Sequence, residues 1–170
     1  MELLIAHVPV PNGHIENVSY TDALASGIAA AVAGAALKHT AKAAVMGQSD
    51  RYRAQLATTS PGKLAAYRVK EEIARDPDSA DPAELALIDR EAAARDTDRA
   101  GLLALISAQA AAYRQTALLI EALEAEAKAA IEAIADDAAD IEAQIGAALH
   151  AAKTQAETAF AEAQTLLAAG

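Results

Sequence analysis

The chain has no cysteine and no tryptophan, and only 3% of its 170 residues are aromatic. Without cysteine there is no disulfide framework and no thiolate metal site. Four tyrosines and one phenylalanine leave little material for stacking nucleic-acid bases or walling a cofactor pocket. Basic charge is also scarce. Residues 1–60 carry four acids and four bases, whereas residues 61–170 carry 20 acids and 10 bases. Such an acidic surface is unsuited to phosphate backbones, so no nucleic-acid partner is expected. The first ten residues hold an acid and no base, unlike the positive start of a signal peptide. The apolar run at residues 23–37 is uncharged for 15 residues, short of the roughly 20 that span a bilayer. It reads as a buried or interfacial helix rather than a membrane span.

What is present is alanine, at 50 of 170 positions. Hydrophobic residues make up 54% of the chain, but each buried alanine removes little area from water, and a monomeric core would be thin at about 25 cal/mol per Å². Alanine has the highest helix propensity, and its small side chain lets helix backbones approach closely. The expectation is an all-α protein in which helices pack on helices, between chains as an oligomeric bundle or coiled coil.

The apolar residues of the C-terminal region support that expectation. From Tyr113 one line runs through Ala117, Ile120, Leu123, Ala127, Ile131, Ile134, Ala138, Ile141, Ile145, Leu149, Ala152, Ala156, Phe160 and Ala163 to Leu167. Its mean step of 3.6 residues is the period of one helix face. The line holds its phase across Asp136-Asp137, which favours one unbroken helix over residues 99–169, extending on the order of 100 Å at 1.5 Å per residue. A turn at the two aspartates would make it a hairpin. Pairs such as Ile120/Ile131, Ile134/Ile145 and Leu149/Phe160 recur at eleven residues, a period that gives straight or slightly right-handed supercoiling. Ile120, Leu123, Ile131, Ile134, Ile141, Ile145, Leu149 and Phe160 are the expected oligomer interface.

Upstream, residues 2–10 read as a short strand or extended arm, broken by Pro9, Pro11 and Gly13 and followed by a loop to about Tyr20. Thr21 or Asp22 caps a helix to about Val45 that Gly47 closes, with Gly27, Ala31 and Gly34 as a smooth face. Residues 48–59 read as another helical turn or a loop, with the loop favoured. Ser60-Pro61 starts a helix that stops before Pro77. Asp81, Pro82 and Glu84 resemble a capping box opening a helix that ends near Arg95. Thr97 or Asp98 caps the next. The expected organisation is a docking region at 1–58, two capped helices at 59–97 and an oligomerisation segment at 98–170.

Chemical motifs are scarce. His7, His14, His39 and His150 share no metal-ligand spacing, so no zinc site is expected. Asp76, Asp78 and Asp81 loosely follow calcium-loop spacing, but the glycine and closing glutamate are missing, and the prolines suggest a capped linker. Asp136, Asp137 and Asp140 read as a helix-start cluster. Ser26 lies in no nucleophile elbow, Ser60 precedes a proline, and Gly62-Lys63 lacks the glycines of a phosphate loop. No enzyme, cofactor or small-molecule substrate is expected.

The stretch Pro61-Gly62-Lys63-Leu64-Ala65-Ala66-Tyr67-Arg68-Val69-Lys70-Glu71-Glu72 resembles a segment of small tailed-bacteriophage proteins encoded among tail and tail-fibre genes. The similarity continues through a helix at residues 85–93, the helix opening Gly101-Leu102-Leu103-Ala104-Leu105-Ile106, Tyr113-Arg114, Ile120-Glu121 and Lys128-Ala129-Ala130-Ile131. It covers residues 58–135. It departs in having Tyr113 in place of a tryptophan and no glycine in Asp96-Thr97-Asp98. The resemblance implies a virion tail structural protein, made in the bacterial cytoplasm, that self-associates as a trimer and contacts other tail or fibre proteins. An assembly chaperone missing from the finished virion and a cellular coiled-coil adaptor are the alternatives.

Overall fold

A computed structural model describes residues 3–10, 13–56 and 61–168. Among the described residues, the protein is all-α apart from one small hairpin. Strands β1 (Val8–Val10) and β2 (Gly13–Ile15) pair antiparallel, with Val8 opposite Ile15, Pro9 opposite His14 and Val10 opposite Gly13. An isolated bridge between Ile5 and Val18 extends the ladder. The helices are α1 (Tyr20–Ala25), α2 (Ala30–Leu56), α3 (Pro61–Arg75), α4 (Pro82–Ala94), α5 (Arg99–Glu132) and α6 (Ile141–Ala168). A single 3-10 turn at Pro77–Ser79 joins α3 to α4.

The expected helix over 21–45 is two helices. Ser19, not Thr21 or Asp22, caps α1: its Oγ accepts from the Asp22 N–H at 3.0 Å and donates to Asp22 Oδ2 at 2.8 Å. Gly27 then takes φ +81°, the left-handed state in which glycine ends a helix, while Ile28 N–H bonds back to the Ala23 carbonyl. Gly47 closes nothing. Helix α2 runs past it to Leu56, so residues 48–56 are not a loop. Burial selects the helix there, because Val45, Ser49 and Tyr52 continue the inward face at steps of four and three. Residues 57–59 of the expected loop, Ser60 and Pro11 lie outside the described residues.

The capped linker is present as expected. Pro61 opens α3, and Asp81 caps α4 by accepting from the Ala83 N–H at 2.7 Å. Asp98 Oδ1 accepts from the Gly101 N–H at 2.7 Å at the start of α5. In the turn before it, Asp96 takes φ +53°, a left-handed conformation that aspartate tolerates better than most residues. A glycine is therefore not required at 96–98.

The largest correction concerns Asp136-Asp137. The chain turns there: α5 ends at Glu132 and α6 begins at Ile141. Phase is kept because Ile131, Ile134, Ile141 and Ile145 all enter one core from the two sides of the turn. Periodicity located the buried face correctly and misjudged the connection.

The chain forms two compact units that are discontinuous in sequence and do not follow the boundaries expected at 58 and 97. One comprises Met1–Arg53 with Leu119–Ala159, the other Ala54–Leu118 with Phe160–Gly170. The core of the first joins Ile5 and Val8 of the N-terminal segment, Tyr20 and Ala23 of α1, Leu37, Ala41 and Val45 of α2, and the four isoleucines. The core cluster of the second is Ile73, Ile88, Ala92, Leu102 and Leu103.

Candidate functional site

In the first unit, Gly34 lies on the buried face of α2, where a Cβ would collide with the Asp136 carbonyl and come within 2.8 Å of Ile141 Cδ1. Absence of a side chain lets α2 press against the α5–α6 turn. One helical turn on, Lys38 is almost fully buried. Its Nζ donates to the Glu132 carbonyl at 2.9 Å, the Ile134 carbonyl at 2.8 Å and Asp136 Oδ1 at 2.8 Å. The ammonium thus occupies the C-terminal end of α5, satisfying carbonyls the helix leaves unpaired and opposing its negative dipole end. Lys42 donates to Glu132 Oε2 at 2.5 Å, which holds the Glu132 carboxyl below the usual carboxylate range, with Lys38 adding to the effect.

A second polar cluster lies further along α2. Arg53 donates to Glu121 Oε1 and Glu124 Oε2, each at 2.6 Å, and to Asp50 Oδ1 at 2.8 Å. These bonds, Glu124 first and Glu121 next, raise the guanidinium further above its ordinary value. Lys128, then Arg53, holds the Glu124 carboxyl low. Both clusters fasten α2 to α5 within one unit, and neither presents a nucleophile beside a base.

The eight interface residues expected from sequence are largely accounted for inside the chain. Ile131 and Ile141 are fully buried, Ile145 and Ile134 nearly so, and Leu149 packs against the same core. Ile120 is buried, and Leu123 and Phe160 are half-buried. Within one chain, much of the seam is therefore already covered. Helix α2 and the N-terminal segment cover its centre. Leu37, Val45, Tyr20, Ile5 and Val8 supply the bulk that a stripe of small residues lacks.

The second unit is differently balanced. Its described surface exposes Tyr67 at 53%, Leu87 at 61% and Leu118 at 70%, along with Val69 and Tyr113. Those five large apolar side chains outnumber the four in its core cluster. Ion pairs fasten the remainder. Arg99 grips both oxygens of Asp89 at 2.7 and 2.5 Å, Lys70 pairs with Glu91, and Arg114 pairs with Glu71. A cleft of about 280 Å³ is lined by the carboxylates of Glu72, Asp76, Asp81 and Glu84. Two of these have partners in the linker: Asp76 Oδ2 accepts from Ser79 Oγ at 2.7 Å, and Asp81 caps α4.

The hairpin gathers residues that linear spacing keeps apart. Alternation along β1 and β2 puts His7, His14 and Glu16 on one face, opposite the buried Val8. The imidazole rings of His7 and His14 stack with centroids 4.4 Å apart and planes at 27°, and His14 Nε2 donates to Glu16 Oε1 at 3.0 Å. One donor atom from each of the three residues lies within 4.8 Å of the others. Motif spacing could not reveal this set, because its proximity comes from the strand register and His7 lies seven residues before His14. Among the described residues, no helix is long and apolar enough to cross a membrane.

Compared with protein-family models, curated proteins and solved structures, the chain matches none.

Proposed function

We propose that this protein is a non-enzymatic structural component that assembles with copies of itself through its second unit. The setting we propose is the tail of a tailed phage. The observation that carries the reading is the excess of exposed over buried large apolar side chains among the described residues of that unit, with Tyr67, Leu87 and Leu118 all more than half exposed. Apolar area left in water is the usual driving term for association. The stretch resembling tail-region phage proteins, residues 58–135, includes α3, α4 and all of α5, the same helices that carry these residues. The first unit, with its larger core and its Lys38 clasp, is self-sufficient by comparison and suits a rigid body presented to a neighbouring tail or fibre protein.

Mass spectrometry of particles produced from the genome that encodes the chain tests the setting. The expected result is the protein in fixed copy number per particle. Its absence from particles whose tails form normally only when it is expressed would replace this reading with that of an assembly chaperone. Absence from the particle with no effect on tail formation would remove the phage assignment altogether.

A further inference from the structure

We propose that His7, His14 and Glu16 form a binding site for a zinc-type divalent cation on the outer face of the N-terminal hairpin. The proposal is independent of the assembly reading. Two imidazoles and one carboxylate make a His₂Glu set, which suits zinc and its late first-row neighbours, whereas magnesium and calcium require oxygen ligands.

The geometry is close to what such an ion needs. Bonds of about 2.0–2.2 Å at tetrahedral angles place donor atoms roughly 3.3–3.5 Å apart. His14 Nε2 and Glu16 Oε1 are already 3.0 Å apart, and no donor of the set is more than 4.8 Å from another. Ligation requires the exposed His7 ring to rotate out of its stack on His14 and bring its donor nitrogen closer. The proton now shared between His14 Nε2 and the Glu16 carboxylate then moves to Nδ1, or to solvent if the ring is protonated. Three protein ligands leave a fourth position for water.

A surface ion pair would require only one histidine beside the glutamate. Here the second ring is brought in by the register, and the backbone beneath is held. Ile5 and Val8 are fully buried on the inner side, and the Ala6 N–H donates to Thr40 Oγ1 of α2 at 3.2 Å. The donors therefore project from a fastened hairpin, so less ordering is required on binding. Because His7 immediately precedes β1 while His14 lies in β2 and Glu16 immediately follows it, the ion would tie the two sides of the hairpin together. Binding to the folded state alone would raise the stability of the first unit.

The test is titration of the full, tag-free chain with Zn²⁺ alone in a non-coordinating buffer, by calorimetry and by NMR of the imidazole Cε1–H signals. The expected result is saturable binding of one ion per chain, with shifts confined to two of the four histidines and a higher melting temperature. His7→Ala and His14→Ala should abolish binding and Glu16→Gln should weaken it, while His39→Ala and His150→Ala leave it unchanged. The NMR shifts in the wild-type chain decide the matter even where a hairpin variant folds poorly. Absence of saturable binding, shifts at His39 or His150, or binding that survives loss of both hairpin histidines would overturn the proposal.

Discussion

Replacing Lys38 with methionine removes the ammonium and keeps most of the stem that α2 packs against the α5–α6 turn. Three hydrogen bonds disappear, to the carbonyls of Glu132 and Ile134 and to Asp136 Oδ1. The Ile134 bond is buried and the Glu132 bond partly so, and a buried carbonyl left without a donor costs about 1–3 kcal/mol. Loss of a cation at the helix C-terminus adds about 0.3–1 kcal/mol. Asp136 has a side chain 43% exposed, so it rehydrates, and its pairing contributes at most about 1 kcal/mol. Relief from burying an ammonium offsets part of this sum. The net expectation is a loss of about 2–4 kcal/mol. At a urea slope of about 1–3 kcal/mol per M, the midpoint should fall by on the order of 1–2 M, read by far-UV circular dichroism. Lys42→Met is the internal control. Lys42 is 32% exposed and its partner Glu132 63% exposed, so that change should cost less than about 1 kcal/mol. If the two lysine variants unfold at the same urea concentration, the clasp assigned to Lys38 is wrong.

Ile131→Ala and Ile145→Ala, in the most buried part of the first unit, should each cost about 2–5 kcal/mol in the same assay, and a cost below 1 would mean the α5–α6 seam is not packed as described. Gly34→Ala should destabilise the chain although alanine favours helix by about 1 kcal/mol, because the added Cβ meets backbone that cannot rotate away. Gly47→Ala, with open space around it, should stabilise by about 0.4–1 kcal/mol, so equal effects at the two glycines would contradict the close approach at Gly34. The carboxyls of Asp89, Glu91, Glu124 and Glu132 are held low chiefly by Arg99, Lys70, Lys128 and Lys42 respectively. Their contribution is present above the unfolded carboxylate range of about pH 4 and is lost as pH falls through the lower folded values. The urea midpoint should therefore be flat above about pH 5 and drop below about pH 4; a main loss between pH 5 and 7 would point to histidines instead.

Much of the fold could be read from local chemistry. Prolines at 61 and 82 and the aspartates at 81 and 98 mark helix starts by rules that act within four residues, and the structure follows them. The stripe from Ile120 to Ala163 is the buried side of its helices, because the 3.6-residue period records burial whatever covers the face. What the stripe could not reveal was the covering element. Leu37, Ala41 and Val45 lie about 90 residues away in sequence, and an alanine-rich helix with little hydrophobic contrast gave no sign of which side faced inward. Continuity across Asp136-Asp137 failed for a related reason: a turn that returns both helices to one core preserves phase. Lys38 was invisible as a cap, since two of its three acceptors are carbonyls that any residue could supply. The histidine pair depended on strand register, which linear spacing does not carry.

Sedimentation equilibrium of the purified chain over a wide concentration range most directly tests the claim that the first unit is complete while the second requires a partner. The account predicts a mass that is a multiple of 17.4 kDa at high concentration. A combined Leu87→Glu and Leu118→Glu substitution should return it to a single chain with an unchanged helical signal, since exposed positions cost little to replace. A wild-type chain that stays at single-chain mass throughout, or a double variant that still associates, would contradict it.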